Sequence, residues 1–230
     1  MMRLTIAAAA AILATTALGQ EKPELIPTKE LPPSAVCAYC VALGTMMTPA
    51  KPTHGVRFRG KRYFFHDKSM YDAFMKDPDA YSDPVLPRPM PKTVLTTSTG
   101  TKVDDSFFKG KMVLVDFWAT WCEPCKKMSP ILDDVLAAYK VKGLEMLSVS
   151  EDQKRKDYDK FIKEKPFGHA VAFDDKKAFA SWHVVTIPAL FLVKDGQIIA
   201  QWVGFTDKAP IEEAVKKAIG TAGAKGEVRR

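Results

Sequence analysis

Hydrophobic residues in the second half of the chain alternate between two spacings. Residues 113–117, VLVDF, make a mostly apolar run of the kind that fills a strand buried on both faces. The segment after the next few residues, KKMSPILDDVLAAYK, carries apolar residues three or four positions apart, which predicts a helix with one buried face. Lys142-Gly143 is a helix-ending signal, and LEMLSVS then predicts a second buried strand. The order is strand, helix, strand.

The alternation continues to the end of the chain. Residues 151–165 are polar and helix-compatible and end at Pro166, HAVAF predicts a strand, and residues 176–182 predict a short helix. PALFLVKDGQIIAQWVG predicts a hairpin that turns at Asp195-Gly196, and residues 209–219 predict the last helix. Ahead of the central strand, residues 93–102 alternate weakly around a glycine and predict another hairpin.

A smaller pattern precedes this one. VRF and YFF, separated by Arg-Gly-Lys, predict a β-hairpin with aromatic strands. Ser69 is a candidate cap for a helix that places Met70, Ala73 and Phe74 on one face and stops before Asp77-Pro78. The hairpin and helix predict a small α+β unit over residues 36–81.

The first residues, MMRLTIAAAAAILATTALGQ, have one positive charge, an apolar run and then small residues, which predicts a signal peptide over 1–19. A membrane anchor is the alternative, but the uncharged stretch of 17 residues between Arg3 and Glu21 is marginal for a span. No later segment is long and apolar enough to cross a bilayer. We therefore expect a periplasmic or otherwise extracytoplasmic protein that is soluble after cleavage and not stably inserted in a membrane.

Proline-rich segments without periodicity divide the rest of the chain. They predict linkers over 20–35 and 82–91, on either side of the small unit. The larger domain is then expected over 92–222, and a disordered tail over 223–230.

The net charge of +7 is spread along the chain, with acidic residues between the basic ones. Scattered charge is typical of solvated faces and argues against a nucleic-acid groove. The four cysteines form two C-x-x-C pairs, too few for a disulfide-stapled scaffold, so each pair needs a local explanation.

The second pair, Cys122-Glu123-Pro124-Cys125, lies where the central strand gives way to the helix. Pro124 suits a first helical turn, and a helix N-terminus favours a thiolate over a thiol. Lys126 and Lys127 add positive charge, whereas Glu123 opposes ionisation of the neighbouring thiol. The pair therefore has the character of a nucleophile, with half of a zinc site as the alternative.

WCEPC after a hydrophobic strand, together with Thr-Ile-Pro at 186–188, resembles the thioredoxin superfamily, and WCEPCKK resembles its exported TlpA/ResA-like branch. The resemblance covers residues 90–222. It implies an α/β thioredoxin fold, a central mixed sheet flanked by helices with an N-terminal β-hairpin extension. It also implies a thiol-disulfide oxidoreductase in which Cys122 attacks and Cys125 resolves, with no cofactor required for the thiol chemistry.

The resemblance assigns further roles. Asp116 matches the buried acid that takes the resolving thiol's proton, and Pro188 matches the cis-proline, so that the backbone of Ile187 can pair with a substrate strand. Trp121 is expected at the rim of the site, and Gly204 as the small residue that lets substrate approach. Two family positions depart from the pattern, because Met128 replaces a glutamate and LEMLSVS lacks a lysine.

GKRYFF and AFMKDPDAY in residues 36–81 resemble the small YHS or TRASH-type domain, which is often associated with metals. The resemblance implies a Cu(I) or Zn(II) site formed by Cys37, Cys40, His66 and Met70, although such domains typically carry three cysteines. The alternative is a structural Cys37–Cys40 disulfide with Met70 filling the core.

These features together predict an exported enzyme that reduces disulfides of extracytoplasmic proteins, with a membrane thiol reductant as electron donor. Relatives of this branch imply cytochrome c or copper-site maturation as the setting. The alternatives are a metal-handling protein that uses the thioredoxin fold as a scaffold, and an oxidase that donates disulfides.

Overall fold

A computed structural model describes residues 21–45, 48–175 and 177–223. It contains a six-stranded sheet, a three-stranded sheet and a two-stranded ribbon. The strands are β1 (Glu24–Leu25), β2 (His54–Phe58), β3 (Lys61–Phe65), β4 (Arg88–Pro89), β5 (Leu95–Thr96), β6 (Lys102–Val103), β7 (Met112–Trp118), β8 (Leu144–Ser150), β9 (Ala170–Phe173), β10 (Ala189–Lys194) and β11 (Gln197–Val203). The helices are α1 (Ala38–Ala42), α2 (Lys68–Lys76), α3 (Pro78–Tyr81), α4 (Asp105–Phe108), α5 (Glu123–Tyr139), α6 (Arg155–Glu164), α7 (Lys177–Ser181) and α8 (Lys208–Gly223).

The large sheet has the order β4-β11-β10-β7-β8-β9, with β7 near its middle. β7 pairs parallel with β8 and antiparallel with β10, and all seven of its residues are buried, as its apolar run predicts. β10 and β11 form the predicted hairpin. This mixed sheet with helices on both faces is the thioredoxin fold that the sequence predicts.

Alternate residues of β7 face two separate cores. Met112 and Leu114 pack under α5 and α8, together with Leu132 and Val215. The intervening residues of β7 face the opposite side of the sheet, where Val113, Val115 and Phe117 join Trp182 and Phe191. The position of a residue along β7 therefore determines which face of the sheet its side chain occupies.

The small unit has the predicted hairpin and helix, with α1 and α3 added. Arg59 and Gly60 connect β2 to β3 and both have positive φ, 50° and 71°, which a two-residue hairpin turn requires. The predicted cap of α2 is wrong. Asp67 caps this helix, because its carboxylate accepts the N–H of Met70 as well as the hydroxyl of Ser69.

Both predicted linkers take part in sheets. Within 20–35, β1 pairs with β2 and Ile26 is buried, so this arm completes the small sheet. Within 82–91, β4 pairs with the outer edge of β11, and Leu86–Pro87 is a cis peptide. Two-residue strands beside prolines have no periodicity, which is why their pattern predicts linkers.

The ends of the chain fall partly outside the described residues. The predicted signal peptide, 1–19, and the tail residues 224–230 lie there, whereas Gly223 belongs to α8 and not to a disordered tail. No helix in the described part of the chain has both the length and the apolar content that crossing a bilayer demands.

Candidate active site

Cys122 and Cys125 lie at the junction between the central strand and α5. β7 ends at Trp118, and Cys122 is the residue that caps α5, with its Sγ accepting the N–H of Cys125 at 3.2 Å. The two cysteines form a disulfide, and their Cα atoms are 5.3 Å apart. Pro124 occupies the first turn of the helix, as its missing N–H allows. The sulfurs are therefore placed where unpaired helix N–H groups stabilise negative charge.

A buried carboxylate fixes the loop that leads into the pair. Asp152 accepts the hydroxyl of Thr120 at 2.7 Å, the N–H of Thr120 at 3.1 Å and the hydroxyl of Ser150 at 2.8 Å. Asp152 follows β8, the parallel neighbour of β7, so both strand ends meet at this edge. Asp152 is not among the site residues predicted from the sequence, although a polar run directly after a buried strand is a signal for such a role.

The surface around the pair combines an exposed aromatic with opposite charges. Trp121 is 61% exposed, while Cys122 and Cys125 are 3% and 6% exposed. Glu123 pairs with Lys126 at 2.6 Å, and this partner lowers the pKa of the Glu123 carboxyl. Because Lys126 is paired with Glu123, the positive charge of Lys126 stabilises the neighbouring thiolate less than an unpaired lysine would.

The loop before β10 packs against the buried cluster that contains the two cysteines. Ile187–Pro188 is a cis peptide, and the Ile187 side chain lies on the buried cluster that contains both cysteines. Gly204 donates its N–H to the carbonyl of Pro188 at 2.8 Å. Its φ of +79° explains the glycine, because other residues avoid that conformation, and a Cβ there would meet open space.

Asp116 is a buried acid on the α5 side of β7. It is 7% exposed, and the Ser148 hydroxyl donates to its Oδ2 at 3.4 Å. Burial raises the pKa of Asp116 to about 7, the hydrogen bond from Ser148 opposes the rise, and Asp133 adds to it. A carboxyl with this pKa can hold or release a proton near neutral pH.

The first cysteine pair is found as two free, buried thiols, so the alternative of a Cys37–Cys40 disulfide is wrong for this structure. Cys37 Sγ lies 3.4 Å from Met70 Sδ. Burial raises the pKa of the Cys40 thiol, and the neighbouring Cys37 adds to the rise. His66 contacts the carbonyl oxygen of Ala35 through Nε2 at 3.1 Å.

The four-residue metal set of Cys37, Cys40, His66 and Met70 is therefore not assembled as expected. Among residues 21–45, 48–175 and 177–223, no three His, Cys, Asp or Glu side chains form a group that could hold a metal ion. The sulfur atoms of Cys37, Cys40 and Met70 lie close together, and the imidazole of His66 does not join them. Met46 and Met47, next to it in sequence, lie outside the described residues.

A disulfide at the start of a helix, at the end of the central strand and beside a cis-proline loop, defines a thioredoxin-fold thiol-disulfide oxidoreductase. Residues 87–202 match the AhpC/TSA family, half of the chain. The protein belongs to this family, within the thioredoxin superfamily.

Individual relatives agree with that class. ResA from Bacillus thuringiensis subsp. konkukian, a thiol-disulfide oxidoreductase, is 34% identical over 129 residues, 55% of this chain and 75% of that protein. A Staphylococcus aureus thioredoxin is 32% identical over 120 residues, covering 50% of this chain and 94% of its own. A Chlorobium tepidum structure assigned as a thiol:disulfide interchange protein DsbE superposes with a TM-score of 0.55 at 35% identity. It covers 58% of this chain and 97% of its own.

Proposed function

We propose that this chain is an exported enzyme that reduces disulfides of extracytoplasmic proteins through Cys122 and Cys125. The observation that carries the proposal is the cysteine pair at the N-terminus of the 17-residue helix α5, beside a cis-proline loop. The relatives named as thiol-disulfide oxidoreductases support the chemistry. The signal-like sequence of residues 1–19 supports export.

The first step is attack by Cys122. In the reduced enzyme its thiolate, stabilised by the helix N-terminus, attacks one sulfur of a substrate disulfide. A new sulfur–sulfur bond joins Cys122 to the substrate, and the second substrate sulfur leaves as a thiolate and takes a proton from solvent. Cys122 is the assigned attacker because it caps the helix and lies next to the exposed Trp121, whereas Cys125 lies within the first turn.

The second step is resolution by Cys125. Its thiol gives a proton to ionised Asp116, and the resulting thiolate attacks the Cys122 sulfur, which closes the enzyme disulfide and releases the other substrate sulfur as a thiolate. Two electrons have then passed from the enzyme dithiol to the substrate. The pKa of about 7 supports Asp116 in this role, because such a carboxyl accepts and returns a proton near neutral pH.

Substrate recognition is assigned to the rim around the pair. An extended substrate chain pairs with the backbone of Ile187, held by Pro188, in the manner of an added strand. Trp121 supplies an exposed apolar surface, and the open space at Gly204 admits a substrate backbone. These contacts are mostly independent of sequence, which suits an enzyme that acts on more than one protein.

The direction of reaction follows from the reduction potential and from the partner that recycles the enzyme. For a reductant, a membrane thiol donor must return two electrons to the Cys122–Cys125 disulfide after each turnover. The substrate classes proposed are cysteines of apocytochrome c and of copper-site proteins. An oxidase that donates disulfides is the alternative, and it requires a strongly oxidising potential.

A second proposed role concerns copper as cargo. The contact between Cys37 and Met70, with Cys40 beside it, favours this role, because two thiols and a thioether suit Cu(I). These three residues would hold the ion, and thiolate ligands at the site require both thiols to lose their protons. Cu(I) titration of the full chain against a competing chelator tests the idea. Loss of one equivalent in the Cys37→Ser/Cys40→Ser variant is expected, and equal binding by the two proteins would remove it.

The main proposal is tested by insulin reduction and by redox titration of the full chain. We expect the wild type to accelerate insulin precipitation by dithiothreitol and to have a potential near the reducing thioredoxins, on the order of −270 mV. Cys122→Ser should abolish the activity, and Cys37→Ser should leave it unchanged. A potential near −120 mV would favour the oxidase, and metal binding lost with Cys122 would favour the scaffold alternative.

A further inference from the structure

A buried polar chain runs from Asp116 across the sheet. β7 and β8 are in register with Asp116 opposite Ser148, so both side chains face α5. The Ser148 hydroxyl, fully buried, lies 3.4 Å from Asp116 Oδ2 and 2.9 Å from Nε2 of His169. His169 precedes β9. One hydroxyl therefore joins the acid to an imidazole from the edge of the sheet.

The far nitrogen of this imidazole points away from the acid. The side chain of His169 is 5% exposed, and its Nδ1 has no hydrogen-bond partner among the described residues. The nearest carboxylate, Asp133 Oδ1 on α5, is 4.0 Å away, and the Asp133 side chain is 61% exposed. A groove of about 410 Å³ reaches His169 between α5 and β8. This hydrogen-bonded series therefore begins at a buried acid and ends at a buried imidazole nitrogen, on a side chain that lines the groove and lies 4.0 Å from the exposed Asp133 carboxylate.

We infer that Ser148 and His169 form a proton relay that connects Asp116 to solvent, and that His169 sets the rate at which protonated Asp116 becomes the ionised base that resolution by Cys125 requires. This inference rests on the proposed role of Asp116 in resolution. Ser148 lies on β8, whose sequence LEMLSVS contains no lysine. Ser148 and His169 act through Asp116 and not directly on the sulfurs.

The relay requires the proton count to balance at each atom. Protonated Asp116 donates to Ser148 Oγ, while the Ser148 proton passes to Nε2 of His169 and the Nδ1 proton leaves to water in the groove or to Asp133. After this transfer both hydrogen bonds run in the opposite direction. Ser148 donates to the ionised Asp116 carboxylate, and Nε2–H of His169 donates to Ser148. A hydroxyl carries a single proton and can serve either arrangement.

The charged groups around the imidazole are compatible with this cycle. Asp116 faces it from β7 through Ser148, Asp133 from α5, Glu145 from β8, and Lys140 from the turn after α5. Burial lowers the pKa of His169, and Asp133 acts in the opposite direction. The ring is therefore neutral at rest near pH 7, which a relay needs in order to accept a proton.

The test separates the two chemical steps in single-turnover reactions of the reduced full chain with a disulfide peptide. Acid-quenched samples give the rate of mixed-disulfide formation and the rate of peptide release from pH 5.5 to 9. The relay variants are His169→Gln, which keeps a hydrogen-bonding group for Ser148, and Ser148→Ala. His54→Gln, in the small unit, is the matched control.

We expect formation to stay within about twofold of wild type, while release at pH 7 slows about tenfold, below the range for removing a positioned base outright. The double variant should be no slower than either single one, because the relay is already cut. Imidazole should restore release in His169→Gly by entering the groove, and should not affect the wild type.

Release within twofold of wild type at every pH in both variants would overturn the relay. Slow release with no imidazole rescue and an unchanged pH profile would also overturn it, because a merely structural role has that signature. If the wild type itself exchanges no disulfide, the proposed function fails. If the wild type is active and the variants match it, only the relay fails.

Discussion

Replacing Asp116 by asparagine should stabilise the protein, and the gain should grow with pH. The pKa of this carboxyl is about 7 in the folded chain and near 3.8 in its ordinary state. Between these values the unfolded chain has lost the proton while the folded chain keeps it, so the free energy of unfolding falls as pH rises from about 4 to about 7. Three pKa units correspond to about 4 kcal/mol in the free energy of unfolding, and the wild type has lost all of this stabilisation above pH 7. Asparagine has no charge to bury and escapes this loss.

The assay is urea unfolding of the oxidised wild type and Asp116→Asn at pH 5 and pH 9. The difference between the two proteins in free energy of unfolding should increase by about 2.5 kcal/mol from pH 5 to pH 9, because part of the loss already lies below pH 5. Asp134→Asn, the same change at an exposed carboxylate that pairs with Lys208 at 3.3 Å, should shift stability by about 1 kcal/mol or less at both pH values. A difference for Asp116→Asn that does not vary with pH would refute the buried-acid reasoning.

Three further substitutions test the site and the small unit. Glu123→Gln removes the acid beside Cys122, so alkylation of the reduced enzyme by iodoacetamide at pH 7 should be faster than in wild type; an equal or slower rate would contradict the assigned charge effect. Asp152→Asn leaves donors of Thr120 and Ser150 poorly matched and should cost about 1–3 kcal/mol in urea unfolding, with a lower rate of insulin reduction. Phe74→Ala empties a fully buried aromatic site and should cost about 3–5 kcal/mol by circular dichroism. All four tryptophans lie in the larger domain, so their fluorescence transition should shift less, and equal shifts would show that the two units unfold together.

Periodicity was sufficient for the elements that bury whole faces. β7, α5 and the β10–β11 hairpin each carry a long apolar pattern, and the structure confirms them. β1 and β4 cannot be predicted from the sequence, because two residues do not show a period. Their pairing depends on sheet edges that exist only in the folded protein. The cap of α2 was misassigned because Asp67 and Ser69 are both capping residues and only the geometry separates them.

The site divides in the same way. Cys122, Cys125 and Asp116 lie in one continuous stretch of sequence, so local reasoning finds them. Ser148 and His169 meet Asp116 only through strand register, across separations of 32 and 53 positions, and no local pattern reveals that. Two serines, Ser148 and Ser150, in a strand whose other residues are mostly apolar are the signal that the sequence offers.

The most direct test of the central claim is to trap the intermediate. Cys125→Ser should attack a disulfide peptide or insulin but fail to release it, so a covalent adduct should accumulate and peptide mapping by mass spectrometry should place it on Cys122. The Cys122→Ser/Cys125→Ser double variant should form no adduct. An adduct on Cys37 or Cys40, or none with Cys125→Ser, would contradict the assignment of Cys122 as the attacking thiol.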